Sequence, residues 1–331
     1  MDITVGTFNL NNLFSRFDLY TETEPPRWLA PTAGRPEHDG QIAVSGRGTV
    51  EGDGRIVWRR TFRGKLILGK SPEAQQTLAD RIEQLDVDVL AVQEVENLPA
   101  LEDFVRFFRL TRAGYRHLAL VEGNDRRLID VGLVSRLPIG AVTSWRHRTH
   151  PQAPTKPVFS RDLLQVEILG GRDRRPVLTL YVNHLKSQLA EDENDVRNND
   201  TRRLQQAESV MTIIREEPPR SPYVVLGDMN AGPEDGSLAP LAHGLAPALA
   251  GARETGGPYP ANDPTPPPVG VPWTHRYRGD GTTRYELYDQ IWLDPRIADR
   301  LDDAWILRRT SRGGDASDHD PAAIRLSGLR A

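Results

Sequence analysis

The chain has 331 residues, 38% of them hydrophobic and 27% charged, with a formal net charge of −4, the proportions of a soluble globular protein. No apolar run approaches the about 18–20 residues that span a bilayer, and Met1-Asp2-Ile3-Thr4-Val5 lacks the basic and apolar regions of a signal peptide. Cysteine is absent, which excludes disulfides, thiolate zinc sites and cysteine nucleophiles; any metal site must use oxygen and imidazole, favouring Mg²⁺, Mn²⁺ or Ca²⁺. These features point to a cytoplasmic protein, with a secreted form that has lost its leader as the alternative.

In chain order, Ile3–Leu10 is the first expected strand. Residues 21–70, rich in Gly, Pro and charge, read as an insertion with a hairpin around Arg55–Ile67. Ser71-Pro72-Glu73 then supplies a cap, a proline at the first helical position and an early acid, and Leu78, Ile82 and Leu85 form the apolar stripe that follows. Strands are expected at Val87–Val95, His117–Val121, Asp130–Val134, Leu163–Leu169, Val177–Leu185, Tyr223–Asp228 and Tyr285–Leu293. Helices are expected at Leu98–Leu110 and from Thr201 to Glu217, the latter with Leu204, Ala207, Met211 and Ile214 on one face and Pro218-Pro219 as its stop. Residues 233–272 are dense in proline and read as a second long loop. Strands outnumber helices in mixed order, which points to two packed sheets flanked by helices within a single domain spanning 1–331.

Polar clusters sit at the ends of several apolar strands. They are Thr7-Phe8-Asn9-Leu10-Asn11-Asn12, Gln93-Glu94, Asn183-His184-Leu185-Lys186-Ser187, Gly227-Asp228-Met229-Asn230, Tyr288-Asp289-Gln290-Ile291 and Ser317-Asp318-His319-Asp320. Asparagines after a strand usually form turns, and a lone histidine there is usually a satisfied structural residue. Glu94 differs, since a carboxylate ending a buried strand is costly unless it is paired or metal-bound. Asp228 and Asn230, two apart, share one face of an extended segment. Asp289 and a distant His319 supply the parts of an acid–imidazole pair, in which the carboxylate fixes the tautomer and raises the basicity of the ring.

Taken in order, these motifs resemble the endonuclease/exonuclease/phosphatase superfamily, from Ile3 to about Ile324. The resemblance implies a four-layer α/β/β/α sandwich. It implies Glu94 as principal Mg²⁺ ligand (Mn²⁺ or Ca²⁺ as variants), with Asn9 and Asp318 near the metal. His319, oriented by Asp289, is implied as general base or phosphate-contacting imidazole. Asp228 would position the attacking water, Asn230 would contact the scissile phosphate, and His184 would stabilise its charge or assist the leaving group. Arg161, Lys186, Asn9 and the Thr274 hydroxyl are implied as substrate-binding. Asn11 stands where the apurinic-site enzymes carry Asp, which argues against a second metal there and against abasic-site specificity. Asn183-His184-Leu185-Lys186-Ser187 looks closer to the deoxyribonuclease, extracellular nuclease and sphingomyelinase branches.

Three readings of function follow. A nuclease acting on DNA or RNA, as a monomer, is supported if Arg59-Arg60, Arg63, Arg126-Arg127, Arg202-Arg203 and Arg308-Arg309 line the cleft rim. A lipid or inositol head-group phosphodiesterase or phosphatase would dock through exposed aromatics; Trp28, Trp58, Trp145 and Trp273 are candidates, but no amphipathic membrane anchor is visible. A binding module without catalysis is disfavoured, because the acids, amides and imidazoles of the pattern are in place.

Overall fold

The computed structural model describes residues 1–14, 70–125, 127–188, 193–257, 259, 265–279, 281–311 and 314–330, and the backbone of five short strands within 17–66. Two compact units emerge, Phe14–Lys70 and the remainder. In the first, Thr61–Leu66 lies between Phe17–Glu22 and Gln41–Val44, and Gly48–Val50 pairs with Ile56–Trp58. The expected Arg55–Ile67 hairpin is therefore not formed. Residues 61–66 are paired along both edges, which leaves Ile56–Trp58 to the neighbouring strand. Trp28, Arg59, Arg60 and Arg126 lie outside the described residues, as do the side chains of Trp58 and Arg63.

The larger unit is built on two mixed sheets. One runs Arg253–Thr255, Leu301–Leu307, Ala322–Leu326, Ile3–Leu13, Val89–Val95, Asp130–Ser135, His117–Leu120; the other runs Ile139–Ser144, Leu163–Gly170, Arg175–His184, Tyr223–Asp228, Asp289–Leu293, Ala246–Pro247. Alternation along each strand sends one set of side chains inward and the other outward. Ile3, Val5, Val89, Ala91, Val131 and Leu133 meet Val166, Leu180, Val182, Val224, Leu226 and Ile291 in the core between the sheets. On the outer face of the first sheet, Phe8, Leu10, Leu90 and Val92 pack against Leu78, Ile82, Leu101 and Phe104 of the helices Pro72–Leu85 and Leu98–Phe107. On the outer face of the second, Tyr181, Val225 and Trp292 pack against Ala207, Val210 and Ile213 of the helix Glu193–Glu216. The result is the α/β/β/α sandwich.

Local chemistry sets the first helix as its sequence suggests. The Ser71 hydroxyl accepts from the Ala74 amide at 3.2 Å, Pro72 opens the helix, and Asp86 ends it in a left-handed conformation. Elsewhere the elements differ from expectation. The second helix stops at Phe107, short of Leu110, and Arg109 turns to φ +61°. The long helix begins at Glu193; of the expected stripe Ala207 and Ile214 are buried and Leu204 and Met211 only half-buried, and the buried face also includes Arg203, Gln206, Val210 and Ile213. Polar Arg203 and Gln206 belong inward because they bind the loop after Arg175–His184: Arg203 Nη1 donates to the Lys186 carbonyl at 3.0 Å, and Gln206 Oε1 accepts from the Lys186 amide at 2.8 Å. The expected strand Tyr285–Leu293 is two elements, since Thr282–Glu286 pairs with His275–Gly279 and Asp289–Leu293 joins the second sheet. Residues 233–272 are less irregular than expected: Ala239–Gly244 is helical, and Ala246–Pro247 and Arg253–Thr255 each extend a sheet edge.

The C-terminal polar loop is fixed by a buried charge cluster. Asp320, fully buried, receives Arg81 at 3.1 Å, Arg309 at 2.9 Å and Arg308 at 3.3 Å. The Arg308 and Arg309 guanidiniums also lie 4.0 and 5.2 Å from the centre of the buried Trp273 ring. Arg308-Arg309 and Trp273 are thus interior groups, and the expectation that they form a cleft rim or a membrane contact is withdrawn. Arg203 is buried as well, and Trp145 is half-buried with its Nε1 donating to Gln165 at 3.0 Å.

Two stability predictions follow from these buried charges. Asp320→Ala would leave buried Arg81 and Arg309 without their carboxylate partner, Arg308 keeping only Glu254 at 2.8 Å, and is expected to cost about 3–5 kcal/mol; a urea midpoint equal to wild type would contradict this. Asp130 accepts from the Gly123 amide at 2.8 Å through Oδ1, its Oδ2 is buried without a partner, and burial pushes its carboxyl up to about 7. An acid whose pKa rises on folding contributes stability at low pH that is lost as pH climbs from about 4 towards the folded value. Asp130→Asn should therefore melt several degrees above wild type at pH 8.5 and match it near pH 4; an advantage independent of pH would show that the charge is not its cause.

Candidate active site

The same alternation that fills the core places polar groups at its open end. Val182, Leu226 and Ile291 point between the sheets, so His184, Asp228 and Asp289, each two residues along, point the same way. The three are neighbours across the second sheet: His184 pairs in parallel register with Asp228, and Asp228 in antiparallel register with Asp289. Gly227 makes this close pairing possible. It has φ +134°, and a Cβ there would lie 2.0 Å from the Asn183 carbonyl oxygen, so no side chain fits. From the first sheet, Val5 inward implies Thr7 and Asn9 inward, and Asn9 Nδ2 reaches across to donate to Asp228 Oδ2 at 2.9 Å.

Glu94 reaches the cleft by another route. In strict alternation it would follow Leu90 and Val92 to the helical face. Instead the ladder slips between Gln93 and Val95, and Glu94 sits unpaired in the slip with φ +61°. A bulge of this kind re-aims a side chain, and a non-glycine residue in the left-handed region is strain that functional sites often hold. Its carboxylate Oε1 lies 4.0 Å from His184 Nε2.

The remaining residues arrive on loops. Asn230, also left-handed at φ +53°, donates its backbone amide to Asp228 Oδ1 at 2.9 Å and its side chain to the Leu185 carbonyl at 3.1 Å. His319 is brought in by the C-terminal loop, which Ser317 ties to the Asn9 carbonyl at 2.7 Å. His319 Nδ1 lies 2.6 Å from Asp289 Oδ2, and its Nε2 faces Asp228 at 3.9 Å and Asp318 at 3.9 Å. Arg161 is buried, donating to the Leu185 carbonyl at 3.2 Å with Nε 3.3 Å from Asp125.

The electrostatics divide these groups by role. Burial, then the Asp228 and Asp318 charges, hold Glu94 above the usual carboxylate range against the pull of His319 and Arg161. Burial raises Asp228 too, with Asp289 adding to it. Burial, Arg161 and His319 push His184 well below the ordinary imidazole value, so it is neutral. Burial works against charge on His319 as well, but Asp289, Asp228 and Asp318 outweigh it and raise the ring to about 10. Asp318 is held well below the usual range: burial opposes this, and His275 and His319 override it. Lys186 is lowered by burial and by Arg161.

His184, Asp228, Asn230, Asp289, His319, Asn9 and Glu94 thus surround one cleft, with Asp318 at its mouth and Arg161 behind the Leu185 loop. Thr274 is placed differently. Fully buried, its hydroxyl accepts from the Tyr288 and Asp289 amides at 3.1 and 2.9 Å, anchoring the start of the Asp289 strand. The expectation of a substrate-facing hydroxyl gives way to this buried anchor. Arg81, Arg203, Gln206, Ser317 and His275 also shape the site. Arg81, Gln206 and His275 carried no sequence signal beyond residue type, Ser317 was visible as the first residue of the C-terminal motif, and Arg203 was read as a rim cation. A cluster of carboxylates suits a hard divalent cation: Glu94, raised by burial, and Asp318, held low by its imidazole neighbours, offer carboxylate oxygen, and the Asn9 Oδ1, which accepts from the Asn11 amide at 2.8 Å, retains a second lone pair.

Comparison with known proteins bears on the fold and the family. Several solved structures share the fold. An endonuclease/exonuclease/phosphatase family protein from Bacteroides thetaiotaomicron is 14% identical with a TM-score of 0.57, covering 98% of this chain and 97% of that one. A D. rerio TDP2 humanised by 14 mutations is 14% identical with a TM-score of 0.54, covering 99% of each chain. A mannosyl-6-phosphatase from B. thetaiotaomicron is 14% identical with a TM-score of 0.55, covering 99% and 100%. No match among curated proteins is found. Residues 70–248, more than half of the chain, match the family model described as endonuclease/exonuclease/phosphatase, and the chain belongs to that family of phosphoester hydrolases.

Proposed function

We propose that this protein is a divalent-metal-dependent phosphodiesterase that cleaves nucleic acid, DNA or RNA. The observation that carries the hydrolytic reading is the His319–Asp289 contact of 2.6 Å set opposite buried Asp228. Asp228, with one oxygen held by Asn9 and the other by the Asn230 amide, has a fixed orientation from which to accept a hydrogen bond from water and aim it at phosphorus. His319, held by Asp289, presents Nε2 to the phosphate oxygens, where an imidazolium offsets the charge that builds as the pentavalent state forms. Neutral His184, 3.5 Å from Asp228, has an Nε2 proton to donate to a phosphate oxygen. Glu94, Asp318 and Asn9 would hold Mg²⁺ or Mn²⁺, which supplies positive charge against the phosphate. Half-exposed Lys186 and exposed Arg127, the latter paired with Asp125 at 3.2 Å, are cations that couple electrostatically to Arg161, and they support a polyanionic substrate.

One observation favours a second reading, a phosphatase acting on a small head group. Arg203, Arg308 and Arg309 face inward and leave fewer cations for tracking a strand. No helix among the described residues is long and apolar enough to cross a membrane.

Asp289→Asn is expected to lower kcat by about 10²–10³-fold with little change in KM, because the lost charge acts when phosphate charge builds; an unchanged kcat would remove His319 from the reaction. Glu94→Gln should weaken activation by Mg²⁺ and leave the melting temperature within a few degrees of wild type. Incubation of plasmid, linear duplex, single-stranded DNA and RNA with Mg²⁺, beside bis-p-nitrophenyl and p-nitrophenyl phosphate, separates the substrates. Cleavage of the polymers and the diester supports the nuclease, and hydrolysis confined to the monoester moves the protein to the phosphatase reading. Cleavage persisting in EDTA would overturn the metal requirement.

A further inference from the structure

His275 has no part in the chemistry above, yet it stands inside the cleft. It opens the strand His275–Gly279, and its backbone bridges to that of His319. Its ring lies flat on Tyr288, 4.9 Å between centres at 13°, and lies 4.6 Å from the His319 ring at 43°. Packed against two rings, the imidazole has little rotational freedom. Its Nε2 is directed at Asp318 Oδ2 at 3.5 Å, and its Nδ1 is buried without a partner. His319 is pinned in the same way by Asp289 through Nδ1, so its Nε2 remains for other contacts, 3.9 Å from Asp318 Oδ1. Donor atoms of His275, Asp318 and His319 all lie within 4.8 Å of one another.

From this geometry we infer that His275, Asp318 and His319 form an inhibitory site for a borderline transition-metal ion, of which Zn²⁺ is the type. The donor chemistry differs from that around Glu94. Two imidazoles and one carboxylate are the set that zinc prefers, whereas Mg²⁺ favours oxygen and keeps its waters. Tetrahedral zinc with bonds of about 2.0–2.1 Å spaces its ligands by roughly 3.3 Å. Asp318 stands 3.5 Å from the His275 nitrogen through Oδ2 and 3.9 Å from the His319 nitrogen through Oδ1, so binding draws the three donors together from within 4.8 Å. The Asp289–His319 contact is a carboxylate–histidine pair of the kind that orients metal-bound imidazoles. A bound ion takes the place of the His319 Nε2 proton and removes that nitrogen from the phosphate. Inhibition follows from occupancy alone, with no change in fold.

The inference needs the proposed role of His319 only for its effect on activity; the binding itself is independent of any reaction. The test is calorimetric titration of metal-free protein with ZnCl₂, together with visible spectra of the Co²⁺-loaded form. The variants are His275→Phe, which preserves the ring stack, and Glu94→Gln. Wild type and Glu94→Gln should bind one Zn²⁺ with similar affinity and give the intense bands of four-coordinate Co²⁺. His275→Phe should bind at least tenfold more weakly and lose those bands, with an unchanged melting temperature showing that it is folded. Zinc affinity unaffected in folded His275→Phe, or lost equally in Glu94→Gln, would overturn the assignment. If binding behaves as expected but zinc leaves turnover unchanged, the site stands and the role of His319 in the reaction falls.

Discussion

Two carboxylates occupy directly opposed positions on adjacent antiparallel strands, and much of the site's order answers that repulsion. Asp228 and Asp289 face the same side of the sheet in an environment nearly closed to water. Like charges so placed cost free energy, and the cost falls when a cation stands between them. His319 fills that position, which is why its ring holds a proton far above the usual imidazole range although it is buried. Asn9 and the Asn230 amide take up the remaining oxygens of Asp228. The arrangement is fully formed before any substrate arrives, as electrostatic preorganisation requires.

Much of this was legible in the sequence. Tyr223–Asp228 was readable because an apolar run ends abruptly in Gly-Asp, and period-two spacing alone put Asp228 on the same face as Leu226. The pairing of His184, Asp228 and Asp289 into one row was not readable, since register is set by contacts between segments far apart in the chain. Glu94 marks the limit most sharply. Alternation predicts the wrong face for it, and a single slip in the ladder reverses the answer. The arginine pairs failed for a related reason: a guanidinium reads as surface unless its buried counter-charge is known, and Asp320 looked like the tail of a catalytic motif. Thr274 was credited with a free hydroxyl that two backbone amides already claim.

Arginine does two kinds of work here. Arg81, Arg308 and Arg309 enclose Asp320, and Arg308 and Arg309 also stack on Trp273, so that the loop carrying Asp318 and His319 rests on a rigid ionic floor. Arg203 and Gln206 grip the backbone after His184 from the helical side. Neither group touches the cleft, but each fixes a loop that does. Positional precision at the level of fractions of an ångström comes from such supporting contacts.

The insertion of Ala322–Leu326 beside Ile3–Leu13 has a consequence for the time course of synthesis. The tie from Ser317 to Asn9 spans 308 positions, and the acid–imidazole pair forms only when that closing strand has docked. A nascent chain can collapse its helical layers and its inter-sheet core long before this, because those contacts are available earlier. Topology of this kind delays folding, since distant segments must meet before their contacts stabilise anything. A partly synthesised chain therefore lacks the His319–Asp289 pair, which is completed only when the last strand is in place.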